Sequence, residues 1–237
     1  FRKFQTATVA FLIPAHAAST TLRNVSVVQN GMIGIAANYA DEFIVESVKS
    51  SDNNTEWFNK APVAGGLKLT RSRMVVVTGS EFSRNNATGL WFDQSSRDIA
   101  ITGSRMEGNQ GHGVFLEISA RAVIAGNVMA DNRDLGMKIN DTSSVEIRNN
   151  LVSGNGSSGI QLFGSNASGN VIEGNFIGTN ASGTAALRNG LERDEIKEIL
   201  LQSAIYLSVP SANNAFKHAK QVLDALDAED SAAPPAP

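Results

Sequence analysis

Seven side chains carry the chemistry that this sequence offers, and six of them recur at one spacing. Asp93, Glu117 and Asn140 stand 24 and 23 residues apart, as do Trp91, Phe115 and Lys138 two positions before them. His112 precedes the same element as Phe115. If equal spacing places equivalent residues side by side, Asp93 and Glu117 are carboxylates about 5 Å apart, an arrangement that an ordinary surface avoids. Such a pair can hold calcium, a hard cation that takes oxygen ligands. It can also work as an acid/base couple, because neighbouring like charges drive their pKa values apart. Lys138, or failing it His112, can then abstract the proton alpha to a uronate carboxylate once that group is neutralised. Trp91 and Phe115 offer aromatic faces on which sugar rings stack. A solvated salt-bridge patch worth little energy is the competing reading of the same residues.

The spacing comes from a repeat. Gly89-Leu90-Trp91-Phe92, Gly113-Val114-Phe115-Leu116, Gly136-Met137-Lys138-Ile139 and Gly159-Ile160-Gln161-Leu162 follow one another at 24, 23 and 23 residues, with Gly66-Leu67-Lys68-Leu69 before them. Asn85, Asn109, Asn132, Asn155 and Asn180 run in phase. A period of this length predicts a solenoid, and the Gly/Asn punctuation predicts about three short strands per coil. Alternation sends Leu90, Val114, Met137 and Ile160 inward in one stack and Phe92, Leu116, Ile139 and Leu162 in another. The outward columns are Lys68, Trp91, Phe115, Lys138, Gln161 and Thr70, Asp93, Glu117, Asn140, Phe163. The ladder asparagines suit left-handed turn positions, with amides bonding along the stack.

Between Gly34 and Gly66 the interval grows to 32 residues and contains Trp57-Phe58. Insertions in a solenoid are extruded as loops, so Trp57 is a candidate rim residue for substrate. A loop that packs its own aromatics on the solenoid flank fits equally well. At the start of the chain, Arg2-Lys3, the apolar run to Ile13 and Ala15-His16-Ala17 look like the end of a signal peptide. Val9, Phe11 and Ile13 alternate instead like a strand of a first coil, which is the preferred expectation.

Composition excludes several classes. A net charge of −3 over 237 residues gives no basic footprint for nucleic acid. No cysteine means no disulfide and no thiolate metal site. No stretch approaches the ~20 apolar residues of a membrane span. Charge is uneven: residues 1–190 hold 16 basic and 15 acidic residues, residues 191–237 hold 4 and 8, or +1 against −4.

Over about residues 20–185 the repeat resembles the right-handed parallel β-helix proteins, the superfamily of pectate lyases and polygalacturonases and of uncharacterised secreted bacterial repeat proteins. The stretches 53–59, 89–93 and 112–120 look like that uncharacterised group. The resemblance implies an all-β right-handed solenoid, a bacterial secreted or cell-surface location, and polysaccharide as partner. Together with the outward columns and the insertion it suggests a lyase or epimerase of acidic glycans, with Asp93, Glu117, Lys138 and His112 as candidate catalytic groups and Trp91, Phe115, Asn140 and Trp57 against substrate. A non-catalytic glycan-binding solenoid stays open beside it, because the superfamily holds both. Gly111-His112-Gly113 matches one polygalacturonase signature, but that family's Asn-Thr-Asp, Asp-Asp and Arg-Ile-Lys elements do not occur here as such.

After Leu187 the period stops. Arg193–Leu207 and Ser211–Leu226 are predicted as amphipathic helices, the first with Ile196, Ile199 and Leu200 on one face, the second with Phe216, Val222, Leu223 and Leu226. Residues 227–237 are predicted as a disordered tail. Ala186-Leu187-Arg188-Asn189-Gly190-Leu191, Asp194–Gln202, Ala204-Ile205-Tyr206 and Val209–Phe216 resemble the C-terminal helices of carboxymuconolactone decarboxylases, an all-helical oligomeric family. The resemblance implies a partial decarboxylase segment, inactive without that family's preceding helices. The expected domains are therefore a β-helix to residue 185, a two-helix segment over 186–226, and the tail. The helical hairpin either caps the last coil or mediates self-association, and a fusion of two unrelated segments fits the same break.

Overall fold

The computed structural model describes residues 9–13, 16 and 18–178, and there the chain winds as a parallel β-solenoid of seven coils. The first holds β1 (Val9–Ile13), β2 (Thr21–Arg23) and β3 (Ser26–Val28); the second, β4 (Ile33–Asn38), β5 (Ile44–Glu46) and β6 (Lys49–Ser51). The third holds β7 (Gly65–Thr70) and β8 (Arg73–Thr78), with Glu81 bridging Lys49 and Arg105 where a third strand would lie. The fourth holds β9 (Thr88–Asp93), β10 (Arg97–Thr102) and β11 (Arg105–Glu107); the fifth, β12 (Val114–Glu117), β13 (Ala120–Ala125) and β14 (Val128–Ala130). The sixth holds β15 (Met137–Asn140), β16 (Ser143–Arg148) and β17 (Leu151–Ser153); the last, β18 (Ile160–Phe163), β19 (Val171–Glu173) and β20 (Phe176–Ile177). First strands of all coils form one sheet, second strands another, and third strands a sheet divided at the third coil. The expected strand at the N-terminus is there: β1 pairs in parallel with β4. The two predicted helices and the tail lie outside the described residues.

Alternation drives this winding. Leu90, Val114 and Met137, and likewise Phe92, Leu116 and Ile139, are fully buried and adjacent in register, as the repeat predicts. Phe82, Met106, Met129 and Val152 fill the core from the third face. The glycines opening each first strand answer a packing demand. A Cβ at Gly113 would come within 2.6 Å of the Gly136 carbonyl and 2.9 Å of the Asn132 amide nitrogen. Gly89 is equally tight against Gly113 and Asn109, so the glycine column and the asparagine ladder require one another.

The ladder is longer than the repeat suggests. Asn30, Asn53, Asn85, Asn109, Asn132 and Asn155 are linked side chain to side chain at 2.8–3.0 Å. A second row, Asn127, Asn150 and Asn175, runs at the next corner. One expectation is corrected here. The left-handed backbone belongs to the residue before each ladder position: Gln29, Asp52, Arg84, Gly108, Asp131 and Gly154 have φ of 54–63°. The ladder side chain then turns inward, where its amide replaces the backbone partners that a corner loses.

Asn109 illustrates the energetics. Its Oδ1 accepts from both the backbone and side-chain nitrogens of Asn85, and its Nδ2 donates to Asn132 and to the Phe82 carbonyl. All four bonding capacities are used in a fully buried site. Asn109→Ala leaves several buried groups unpaired and is expected to cost about 2–3 kcal/mol, read as a lower denaturation midpoint in urea. A change within error would show that these links contribute nothing net.

Candidate functional site

The expected residues do gather on the outward face of the first sheet, but their partners differ from those anticipated. Trp91, Phe115 and Lys138 are consecutive in register, with Lys68 beside Trp91. Glu117 pairs with Asn140, and Asp93 follows the Phe92–Leu116 pair by one residue, next to Glu117. Trp91 and Phe115 stack with centroids 5.1 Å apart. Lys68 Nζ lies 3.3 Å from the Trp91 centroid, and Lys138 Nζ 4.6 Å from that of Phe115. His112 meets the Phe115 ring edge-on at 5.4 Å.

Asp93 finds its counter-charge in Lys68. The two are 2.9 Å apart and their side chains are 9% exposed. Asp93 Oδ1 also accepts from the Gln94 N–H at 2.6 Å. Glu117 accepts from the Trp91 indole N–H at 3.2 Å. Each carboxylate of the anticipated like-charge pair is therefore separately satisfied. The ammonium of Lys68 occupies Asp93, and among the described residues no three His, Cys, Asp or Glu side chains converge as a metal site.

His112 has the more reactive environment. Burial first, then the charges of Lys138 and Lys60, lower its pKa to about 4, opposed by Asp134. At neutral pH it is an uncharged imidazole, and its Nδ1 is buried without a hydrogen-bond partner. Asn140 Oδ1 on the next coil is likewise buried and unpartnered. Those two atoms, with Lys138 on the same strand as Asn140, are buried polar groups without a partner among the described residues. The sequence reading put Lys138 ahead of His112 as base; the neutral, unpartnered imidazole favours His112.

The insertion explains why an outward face is buried. Residues 52–64 leave the second coil and return over the sheet. Lys68 Nζ donates to the Pro62 carbonyl at 2.6 Å. Lys60 Nζ donates to the Gln110 carbonyl and pairs with Asp134 at 3.3 Å, reaching the turns that lead into β12 and β15. Trp91 and Phe115 are each only 7% exposed under this strap. Trp57, the expected rim residue, is 68% exposed, so the insertion does not pack its own tryptophan on the flank. Its base is closed by Asn54, which bonds both the N–H and the carbonyl of Phe58. Lys60, Lys68 and Asp134 were not singled out from the sequence. Lys68 was visible in the outward column, whereas nothing periodic connects Lys60 to Asp134.

The strap's latch is exposed and weak. An exposed ion pair contributes up to about 1 kcal/mol, so Lys60→Ala is expected to raise the open population up to about fivefold. With Trp57→Phe in place Trp91 is the remaining tryptophan, and acrylamide quenching reads its cover directly. Quenching should be weak in Trp57→Phe and stronger when Lys60→Ala is added. Equal quenching in both would show that the strap is not what shields Trp91.

The profile of the NosD family, described as periplasmic copper-binding protein, matches residues 10–187. The chain belongs to the NosD family. A second profile, the carboxymuconolactone decarboxylase family, matches residues 179–221, beyond the described solenoid. No curated protein sequence matches the chain. Among solved structures, a double mutant of the periplasmic alginate epimerase AlgG is similar at 12% identity and a TM-score of 0.60, over 70% of this chain and 47% of that one. The A-module of the Azotobacter vinelandii mannuronan C-5 epimerase AlgE4 is similar at 18% identity and 0.54, over 61% and 39%. XylC in complex with xylose is similar at 15% and 0.53, over 61% and 22%. The chain spans less than half the length of each, and at these identities the likeness is one of fold.

The copper in the family's description finds no fit in these residues. Copper sites are built from thiolate, thioether and imidazole ligands. This NosD-family chain has no cysteine. Of the five methionines, Met106, Met129 and Met137 are sealed in the core, Met32 is half-buried and Met74 is exposed on β8. Among the described residues no three His, Cys, Asp or Glu side chains converge to hold a metal. His16 stacks on Tyr39, His112 lies under the strap, and His218 falls outside the described residues. No step below passes through copper.

Proposed function

We propose that this NosD-family chain acts on an acidic polysaccharide laid along the outward face of its first sheet once the strap of residues 52–64 has lifted. The observation that carries the reading is the neutral His112 imidazole, with an unpartnered buried nitrogen, sharing the Phe115 ring with the Lys138 ammonium. Lys138 would neutralise a uronate carboxylate and His112 would take the proton from the adjacent carbon. Delivery of a proton from water to the opposite face completes an epimerisation, with the His112 imidazolium returning its proton to solvent. Departure of the glycosidic oxygen from the neighbouring carbon, protonated by that imidazolium or by water as the C=C bond forms, completes an elimination. The named activities of the similar epimerases, and the xylose bound to XylC, agree with a glycan on this fold. The family's periplasmic description agrees with a place in the bacterial envelope or outside it. Among the described residues no helix is long and apolar enough to cross a membrane.

A non-catalytic glycan-binding solenoid is the second reading, favoured by the burial of Trp91 and Phe115 and by the engagement of Asp93 with Lys68. One experiment separates the two. The protein is incubated with pectate, alginate and glycosaminoglycans, with and without added calcium. Absorbance of the unsaturated uronate reports elimination, and proton NMR reports inversion at C5. Activity that disappears in His112→Gln supports the enzyme. Glycan-array binding without turnover, unchanged in His112→Gln, supports the binding module. Silence in every arm rejects both.

A further inference from the structure

His112 has a carboxylate neighbour that the closed strap keeps occupied. Asp134 lies in the turn into β15, and its N–H donates at 3.2 Å to the carbonyl of Gly111, the residue before His112. Its carboxylate therefore starts from the coil next to the imidazole, yet it faces the strap and pairs with Lys60 Nζ at 3.3 Å. The same ammonium donates to the Gln110 carbonyl, so Lys60 ties together the two turns that carry His112 and Asp134. Arg133 is directed elsewhere, to the side-chain oxygen of Gln110 at 3.4 Å. The charges that act on His112 are those of Lys138 on β15, Asp134 and Lys60. Asp93 and Glu117 are held within the sheet, by Lys68 and by the Trp91 indole. The partner of Asp134, in contrast, leaves with the strap.

We propose that Asp134 is the positioning residue of the His112 base, and that Lys60 withholds it while the strap is closed. With the strap lifted, the Asp134 carboxylate is free to accept from a His112 Nδ1–H, the buried nitrogen that has no partner among the described residues. That bond fixes the tautomer in which Nε2 carries the lone pair. It also favours the imidazolium that forms when Nε2 takes the substrate proton. Asp134 stays a carboxylate throughout. The proton passes from carbon to Nε2 and onward to solvent or to the leaving oxygen, and none reaches Asp134. The inference rests on His112 being the base. It adds a condition: the base is weak while the strap is down, and strengthens when an acidic chain offers Lys60 a different carboxylate.

The test follows the His112 imidazole by NMR in the full chain and its variants, and it needs no turnover. The parent ring titrates near 4. Lys60→Ala raises that midpoint, because a cation leaves and a carboxylate is freed. Lys60→Ala/Asp134→Asn has the same unlatched strap without the carboxylate, so it titrates about 0.5 pH unit or more below Lys60→Ala. Lys60→Ala/Asp134→Glu keeps the charge and restores the rise. In Lys60→Ala the ring nitrogen shifts place the remaining proton on Nδ1 above the midpoint. Equal midpoints in Lys60→Ala and Lys60→Ala/Asp134→Asn overturn the inference, and so does a ring that keeps its proton on Nε2. Turnover then separates it from the proposed function. If a uronate polymer is processed, adding Asp134→Asn to Lys60→Ala lowers kcat at least about tenfold with KM little changed, and an unchanged kcat overturns the role. If none is processed while the midpoints move as expected, the proposed function fails and the pairing of Asp134 with His112 stands.

Discussion

Replacing His112 by glutamine is expected to lower turnover of a uronate polymer by about 100-fold or more while leaving the fold intact. His112 lies between strands at the turn into β12, so its loss leaves the stacked core unaltered. The expectation rests on protonation as much as on position. With a pKa of about 4, the imidazole is in its accepting form throughout the neutral range. The acid limb of the pH–rate profile should therefore fall near pH 4 rather than near 6.5, and the imidazole proton resonances of His112 should titrate with the same midpoint. The linkage follows in sign. The unfolded chain binds a proton near pH 6.5 and the folded one not until about 4. The stability due to neutral His112 is thus complete above pH 6.5 and is lost as pH falls from there towards 4. Lys60→Ala removes one of the charges holding the pKa down and should move the limb upward. An acid limb near 6.5 in the parent protein would reject His112 as the base, even if the variant were inactive.

Lys68→Ala is expected to destabilise the protein by about 3–5 kcal/mol, because it strands the Asp93 carboxylate in a site closed to water. Asp93→Ala should cost a similar amount by stranding the ammonium. The double variant Lys68→Met/Asp93→Leu should recover most of the loss, since an apolar pair needs no desolvated charges. Chemical denaturation of the four proteins measures the coupling. This prediction also reassigns Asp93: its variants lose activity through the fold, so loss of turnover in Asp93→Ala must be read together with its stability. If Lys68→Ala melts like the parent, the pair is not isolated from solvent, and Asp93 returns to the set of groups available to a substrate.

Much of this was legible from the period alone, since equal spacing in a solenoid is equivalent to lateral contact. Leu90, Val114 and Met137, and the shared face of Trp91, Phe115 and Lys138, follow directly. The ladder was legible as composition, though its backbone was assigned one residue late. A positive φ is invisible where Arg84 or Asp131 occupies the position and conspicuous where Gly108 or Gly154 does. What stayed hidden lies in contacts without a period. Lys60 bonds to the Gln110 carbonyl across 50 residues and to Asp134 across 74. Those distances depend on how an irregular loop lies, which no spacing encodes. Lys68, in the column beside Asp93, is the cation that pairs with it. Only side-chain reach decides it, the ammonium passing over the Trp91 ring to the carboxylate.

The asparagine ladder also makes the solenoid electrically one-directional. From Asn30 to Asn132 each Nδ2 donates to the Oδ1 of the next ladder asparagine, the row ending on Asn155. The Nδ2 groups of Asn53 to Asn155 also donate to a carbonyl of the preceding coil. The row Asn127, Asn150, Asn175 points the same way. Aligned amide dipoles add, as they do along a helix. The N-terminal end of each row is therefore its negative pole, and the C-terminal end its positive one. Residues 191–237, which follow in sequence, carry charges that sum to −4.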